Sequence, residues 1–588
     1  MHGLLAQVEL ADPAAGLSAW RRLEHLLGVS SDSQALSALL RALPGTANPD
    51  RALLYLDRLA AAMPEPRELL SLLEDPRSAD ALVTLFASSQ FLGEVLLRHP
   101  EYVRWLARPR RLAQAKSLDA LIAEARAEIR PHLALEERLN ALRRFQRREL
   151  LRIGACDLLG LWDLSAVTAQ LSRLADCLVR VSLEVVEAEL AAPAGGLSVI
   201  ALGKLGGQEL NYSSDIDLLF ISATEGLNHE RAAELLVEAL ARVTDEGFLY
   251  RVDLRLRPWG RVGPLVCSAA AYHRYLRQHA RLWERQALLK ARPIAGDCEA
   301  GAAFLREATP LLFAETPAAI RRDVHDMKRR IEAELRRRGK EWGEVKLGKG
   351  SIRDIEFVVQ YLQLVHGARY PSICTGNTLQ ALVSLHRLGL LPAEDYHALT
   401  DGLVFLRPVE HYLQLMHHRQ THSLPPDARE LAYLARRLGF QGPDAGARLL
   451  ARYQEHAAAI RAVYERYLER EETEMAVDPQ APSPTPDVQR HLARMDPAYA
   501  EAFGTAEIAR HAALADRLGD GNLVEVEADP VGGGAWRVTI VAYDYPGELS
   551  AICGLLFVYG FSIQRGQAFT YEPFSAPSAP SPAGRPYA

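Results

Sequence analysis

Cysteine is scarce in this sequence. Six occur in 588 residues: Cys156, Cys177, Cys267, Cys298, Cys374 and Cys553. None belongs to a C-x-x-C pair, which argues against a zinc knuckle and a disulfide framework. They read as small core residues in a reducing cytoplasm. Long apolar runs are missing too. None approaches the roughly 18 residues of a membrane span, so no membrane partner is expected. The opening "MHGLLAQVELADPAAG" lacks a basic stretch followed by an apolar one, so no secretion signal is read there. Nor is there a surplus of positive charge. Against 68 Lys and Arg stand 74 Asp and Glu, a net charge of -6. That balance gives no general attraction to nucleic acid, which is not expected as a partner.

What is present is helical pattern. Residues 1–195 are rich in Leu, Ala, Arg and Glu. "RALLYLDRLAAAM" and "ALRRFQRRELLRIGACDLLGLWDL" space apolar residues three and four apart, as amphipathic helices do. Pro49, Pro64, Pro66, Pro76 and Pro100 punctuate them. The pattern changes at Gly195-Gly196. Val199, Ile200, Ala201 and Leu202 form a short apolar run, and "DIDLLFIS" a second. Both read as strands, with a helix expected over 230–245. "FLYRVDLRLRP" then alternates. Val252, Leu254 and Leu256 take one face; Arg251, Asp253, Arg255 and Arg257 take the other. A small αβ module is therefore expected inside an α-rich chain. Helices return from 270 to about 472, broken by "KLGKGSIRDIEFVVQYLQL", a glycine turn opening into a helix.

Asp215 and Asp217 stand two apart on a strand, so their side chains share one face. Their Cα atoms would be about 6.6–7 Å apart. That spacing suits a grip on one or two Mg²⁺ ions. Asp253, on the polar face of the alternating strand, is a third acid. Three converging carboxylates would repel one another unless a cation were bound. A two-ion site activates the attacking oxygen and stabilises the leaving oxygen of a phosphoryl displacement. Gly203, Gly206 and Gly207 permit close approach of backbone amides to phosphate. Ser213 and Ser214 can donate hydrogen bonds, and Arg255 and Arg257 can neutralise phosphate charge. A D-x-D pair alone is weak, since most are solvated strand ends. Glycine turn, acid pair and third acid in order within about fifty residues are far more specific.

This order of parts resembles the nucleotidyltransferase superfamily that includes DNA polymerase β. Lys204 stands where that superfamily usually has Gly or Ser. "ALGKLGGQELNYSSDIDLLF" resembles the signature of the glutamine synthetase adenylyltransferase/deadenylylase family. The likeness continues through "RVDLRLRPWGRVGPLV", "WERQALLKARPIAGD", "VKLGKGSIRDIEFVVQYLQL" and "LRPVEHYLQLMHHRQTHSLP", and covers about 48–470. It implies a regulator of glutamine synthetase. One half of a full-length member attaches AMP from ATP to a tyrosine of the target. The other half removes it by phosphorolysis, yielding ADP. "ELNYSSDIDLLF" and "KLGKGSIRDIEF" are closer to the N-terminal, removing half.

Carried over, Asp215, Asp217 and Asp253 would be the metal-binding acids. Gly203, Lys204, Ser213 and Ser214 would hold phosphate. Ser351 stands where the family usually has a second glycine. Arg353, Asp354 and Glu356 would either face the nucleotide cleft or form a buried ion-pair network joining domains. Lys346 would either reach phosphate or stand in solvent, the second being the plainer reading. His411, His417, His418 and His422 are tempting as metal ligands but read as packing or surface side chains.

"AVDPQAPSPTPD" at 476–487 reads as a linker. Beyond it, "WRVTIVAYDYPGELSAICGLLFVYGFSIQRGQAFT" resembles the first βαβ half of a ferredoxin-like ACT module. "EIARHAALADRL" is similar to the helix before ACT repeats in the uridylyltransferase that modifies PII. The expected organisation follows: a helical region at 1–195, a nucleotidyltransferase core at 196–300 and a helical bundle at 301–475. After the linker come short helices at 488–530, a partial ACT module at 535–573 and a disordered tail at 574–588. Two other readings compete. One is a non-catalytic regulator sensing nucleotide and an amino-acid effector. The other is a uridylyltransferase-like enzyme acting on PII.

Overall fold

The computed structural model describes residues 8, 10–106, 112–190, 195–223, 227–417, 421–469, 488, 491–492, 494–518, 524–532, 535–542, 552, 563 and 566–570. The linker at 476–487, the tail and most of the expected ACT half lie outside the described residues. The chain divides into two units, one of residues 1–383 and 393–470, the other of 384–392 and 471–588.

In the first unit the prolines work as starts. Pro49, Pro66 and Pro76 each open a helix, where a missing N–H costs nothing and the fixed φ is already helical. Asn48 and Asp75 cap two of these helices through their side chains. Two long helices follow, Leu135–Leu158 and Leu164–Glu189. Their buried faces run into one apolar core with the sheet behind them. No single helix among the described residues is long and apolar enough to cross a membrane. The five described cysteines are free, and Cys156, Cys177 and Cys267 are buried.

The sheet carries the site. Strand β1 (Leu197–Leu202) is buried throughout and pairs antiparallel with β2 (Ile216–Ser222). On its other side β1 pairs with β5 (Arg292–Gly296), a strand the sequence pattern does not reveal. The outer edge of β2 is shared by two short parallel strands, β3 (Val252–Asp253) and β4 (Val266–Ser268). Because β2 and β3 run parallel in this register, Asp217 lies directly beside Asp253.

The expected long strand through 251–257 is corrected to these two residues of β3. Asp253 folds the chain back, its carboxylate accepting the Arg255 backbone N–H at 2.9 Å. Pro258 then lacks a donor, and Trp259 and Gly260 adopt left-handed φ values of 63° and 58°. The short turn between β1 and β2 is pinned against the backbone of Lys290. A Cβ on Gly206 would stand 1.9 Å from Lys290 O and 2.8 Å from Ala201 O. Neither carbonyl is free to move. Gly206→Ala should therefore lower stability by roughly 2–4 kcal/mol, read as a fall in the denaturation midpoint.

The second unit contains the helices Pro497–Ala502 and Thr505–Ala515 and an antiparallel hairpin, β6 (Val524–Gly532) with β7 (Ala535–Ala542). The stretch 488–530, expected as helical only, thus includes β6. The signal is present, since Val524, Val526 and Ala528 alternate with Glu525, Glu527 and Asp529, and the helical reading of this stretch passes over it. Arg510 pairs with Glu527 at 2.8 Å, and Arg537 with Glu507 at 3.0 Å, tying helix to hairpin.

Candidate active site

The chain leaves β1 at Leu202 and makes one helical turn, Gly203–Gly206. Gly203 sits at φ +56°, and a Cβ there would stand 2.3 Å from Asp217 Oδ2. Only glycine lets this turn cross above Asp217. Gly207 has a different task. A Cβ on it would meet Gly376 O at 2.5 Å, and its N–H donates to Gly203 O at 3.0 Å. The bare Cα atoms of Gly206 and Gly207 thus make room for protein backbone.

Asp217 and Asp253 share the edge of the sheet. Burial, and then the neighbouring Asp253, pushes the Asp217 carboxyl up to about 6. Its neighbours already have cations. Asp253 pairs with the Arg255 guanidinium at 2.5 Å, and Asp215, just before β2, with Arg251 at 2.6 Å. Arg251 also donates to Ser213 O at 2.6 Å. Among the described residues no group of three His, Cys, Asp or Glu is placed to hold a metal ion as it stands. Asp253 and Asp215 each have an arginine partner, and both still raise the Asp217 carboxyl. The Asp217–Asp253 pair suits Mg²⁺, which commonly takes one or two carboxylates and completes its shell with water and substrate phosphates. A carboxyl raised by burial and by a second acid is one that a cation would bring back down.

The remaining phosphate candidates are spread around this edge. Ser213 is buried, its N–H donating to Gln414 Oε1 at 3.2 Å. The Ser214 N–H donates to Asn211 O at 3.3 Å. The Arg257 guanidinium donates to Gly263 O at 3.3 Å.

Lys204 points to the helix Ala393–His417, where Glu410 holds its ammonium at 2.6 Å. Burial pushes the Lys204 ammonium down to about 7, with Glu410 opposing the fall. Lys346 does not stand in solvent as the plainer reading expects. It is largely covered, lies 4.0 Å from Glu410, and its charge favours the ionised form of Asp217. For Glu356 and Asp354 the structure selects the network over the cleft. Glu356 meets Lys290 at 3.6 Å and Arg407 at 3.5 Å. Arg407 in turn pairs with Glu209 at 2.8 Å. Asp354 is wholly buried, paired with Lys328 and 3.7 Å from Arg461. Arg353 lies 3.7 Å from Glu356 and over the Phe357 ring.

His411 is a core residue, its Nε2 2.8 Å from buried Asp157. His422 Nδ1 lies 3.3 Å from Glu410. The side chain of His417 and all of His418 are outside the described residues. Glu209, Asn211, Lys290, Arg407 and Glu410 escape a reading of the sequence. One signal exists: Arg407, Glu410 and Gln414 recur three and four apart along one helix.

Paired carboxylates under a glycine turn, rimmed by lysines and arginines, define a class of site suited to polyphosphate substrates. Comparison with known proteins narrows the class. The sequence model of glutamate-ammonia ligase adenylyltransferase matches residues 79–307. The model of the GlnD PII-uridylyltransferase matches residues 325–468. A bifunctional glutamine synthetase adenylyltransferase/adenylyl-removing enzyme of Streptomyces avermitilis is 37% identical over 449 residues, covering 73% of this chain and 43% of the relative. That of Streptomyces coelicolor is 37% identical over 475 residues, covering 76% and 46%. That of Hahella chejuensis is 35% identical over 384 residues, covering 61% and 40%. The chain spans less than half the length of these relatives.

Proposed function

We propose that this chain is a nucleotidyltransferase that regulates glutamine synthetase through AMP on a target tyrosine. Addition would use ATP: the tyrosine oxygen attacks the α-phosphorus and pyrophosphate leaves. Removal would use inorganic phosphate, which attacks the same phosphorus, releasing tyrosine and ADP. Removal is slightly favoured, on "ELNYSSDIDLLF" and "KLGKGSIRDIEF". The observation that carries the reading is the Asp217–Asp253 pair, in register beneath Gly203, within the family-matched stretch.

Asp217 and Asp253 would hold Mg²⁺, with Asp215 joining once Arg251 releases it. Bound there, one or two Mg²⁺ ions would supply charge for the entering and leaving oxygens. The chain's own groups do the rest. Lys204 and Lys346 would meet phosphate oxygens, and Gly203 keeps the turn clear of the carboxylate. Arg255 is largely exposed and free to exchange Asp253 for a phosphate. In this reading the protein works in the cytoplasm. PII and an amino-acid effector at the C-terminal module are further partners.

A second reading is favoured by the match at 325–468: uridylyl transfer to PII. Both are tested by supplying Mg²⁺ and following tyrosine mass. Loss of AMP from adenylylated glutamine synthetase with phosphate, and ADP release, is the expected result. Gain of AMP from ATP would reverse the direction. Uridylylation of PII from UTP, with neither AMP reaction, would replace the reading.

A further inference from the structure

The ammonium of Lys204 is positioned by a distant part of the chain. Glu410, on the helix Ala393–His417, is wholly buried. Both its oxygens accept from Lys204 Nζ, at 2.6 and 2.7 Å, and Oε2 also accepts from Asn211 Nδ2 at 2.9 Å. Three more cationic or titratable groups face it: His422 at 3.3 Å, Arg407 at 3.5 Å and Lys346 at 4.0 Å. Burial alone would push the Glu410 carboxyl up. Lys204, His422, Lys346 and Arg407 more than offset that and hold it well below the usual carboxylate range. A buried carboxylate so heavily served is ionised, and its charge fixes where the surrounding cations stand.

The place of those cations is what matters. Lys204 follows Gly203, whose missing side chain faces Asp217 Oδ2. Lys346 acts electrostatically on Asp217 as well as on Glu410. Glu410 thus binds one lysine that follows the turn over Asp217 and faces a second whose charge acts on Asp217. An ammonium has three donors, and the two Glu410 oxygens take at most two from Lys204.

We propose that Glu410 is a positioning residue for phosphate: it holds Lys204 and Lys346 beside the Asp217–Asp253 edge, where their remaining donors bind phosphate oxygens of ATP, ADP or inorganic phosphate. The inference rests on the nucleotidyltransferase reading for its ligand. It goes beyond that reading by making a buried glutamate of the helical region part of substrate binding. Glu410 touches no substrate; it works through the lysines.

The test uses the full chain and Mg²⁺, with equilibrium binding of ATP and of inorganic phosphate measured without target protein. Glu410→Asp keeps the charge and shortens its reach by one methylene. It should weaken both ligands on the order of tenfold while the melting temperature stays near that of the parent. Lys204→Met should weaken them similarly, and the double variant should lose little more than either single one. Unchanged affinities in folded Glu410→Asp would overturn the proposal. So would fully additive losses, which would mean independent roles. Should Glu410→Asp not fold, Lys204→Met still decides, since Lys346, Arg407 and His422 remain around Glu410; unchanged phosphate affinity there overturns it. The two readings fail separately. A parent that moves AMP but binds ATP equally well as Glu410→Asp refutes only this inference. A parent whose phosphate binding follows Glu410 and Lys204 but which moves no AMP refutes only the assigned reaction.

Discussion

Asp217→Asn should abolish AMP transfer and removal, by roughly 10³-fold or more, and leave the protein more stable than its parent above neutrality. The first effect follows from position. Asp217 is the inner member of the acid pair, under Gly203 and beside Asp253. The second follows from its charge. Burial and Asp253 raise its carboxyl from 3.8 to about 6. The folded protein therefore holds that proton more tightly than the unfolded chain does. The stability so gained is present in full below the unfolded value and is lost as pH rises through about 6. At pH 8 the parent carries the cost of an ionised, crowded carboxylate. Full conversion of the rise would be at most roughly 3 kcal/mol; partial exposure to water makes about 1–2 kcal/mol the better expectation. Asn carries no such cost. Denaturant titrations without divalent cation should show the variant ahead at pH 8, with the gap closing toward pH 4. Added Mg²⁺ should stabilise the parent and not the variant, reversing their order. A variant with normal turnover would remove Asp217 from the chemistry. A variant destabilised at pH 8 would show that the carboxylate is not crowded as described.

Much of this site is legible in the order of residues along the chain. Asp215 and Asp217 can be placed on a strand because an apolar run follows them, and Gly203 because a turn must join two buried strands. The pairing of Asp217 with Asp253 is half legible. Alternation puts Asp253 on a polar face, but only the parallel register of β2 and β3 puts the two side by side. Alternation overstates the length of β3 because it cannot register Asp253 capping its own strand end. β5 escapes for a related reason. "RPIAG" is five residues long and half-buried at its start, too short to announce a strand. The network around Glu410 and Glu209 is hidden for a deeper reason. A charged residue in a helix reads as solvent-facing, and burial is decided by elements two hundred residues away. Lys204 and Glu410 are 206 positions apart. Likewise Lys346 reads as solvated because nothing near it in sequence covers it.

Asp354→Ala should lower stability by about 3–5 kcal/mol without changing the affinity of the folded protein for ATP. Asp354 opens the helix Ile352–His366 and is wholly buried. It accepts the Gly350 N–H at 2.7 Å and pairs with Lys328, which is 1% exposed. Burial works against both charges, pushing the carboxyl up and the ammonium down, and each sustains the other. Removing the carboxylate leaves Lys328 with Leu347 O at 3.0 Å, Gly348 O and Glu332 at 3.7 Å. Those carbonyls satisfy donors but do not cancel a charge. The melting temperature should fall accordingly. Lys328→Met in the same chain should recover most of the loss, because the deficit is a buried cation left with only the more distant Glu332 carboxylate rather than a lost shape. The ATP affinity separates the two roles the sequence leaves open for this residue. A residue facing the nucleotide cleft would change that affinity even where the fold survives. A residue holding the helical region together changes only how much protein is folded. The second outcome is expected, since Asp354 pairs with Lys328 and lies near Arg461, whereas Lys204 beside the glycine turn pairs with Glu410.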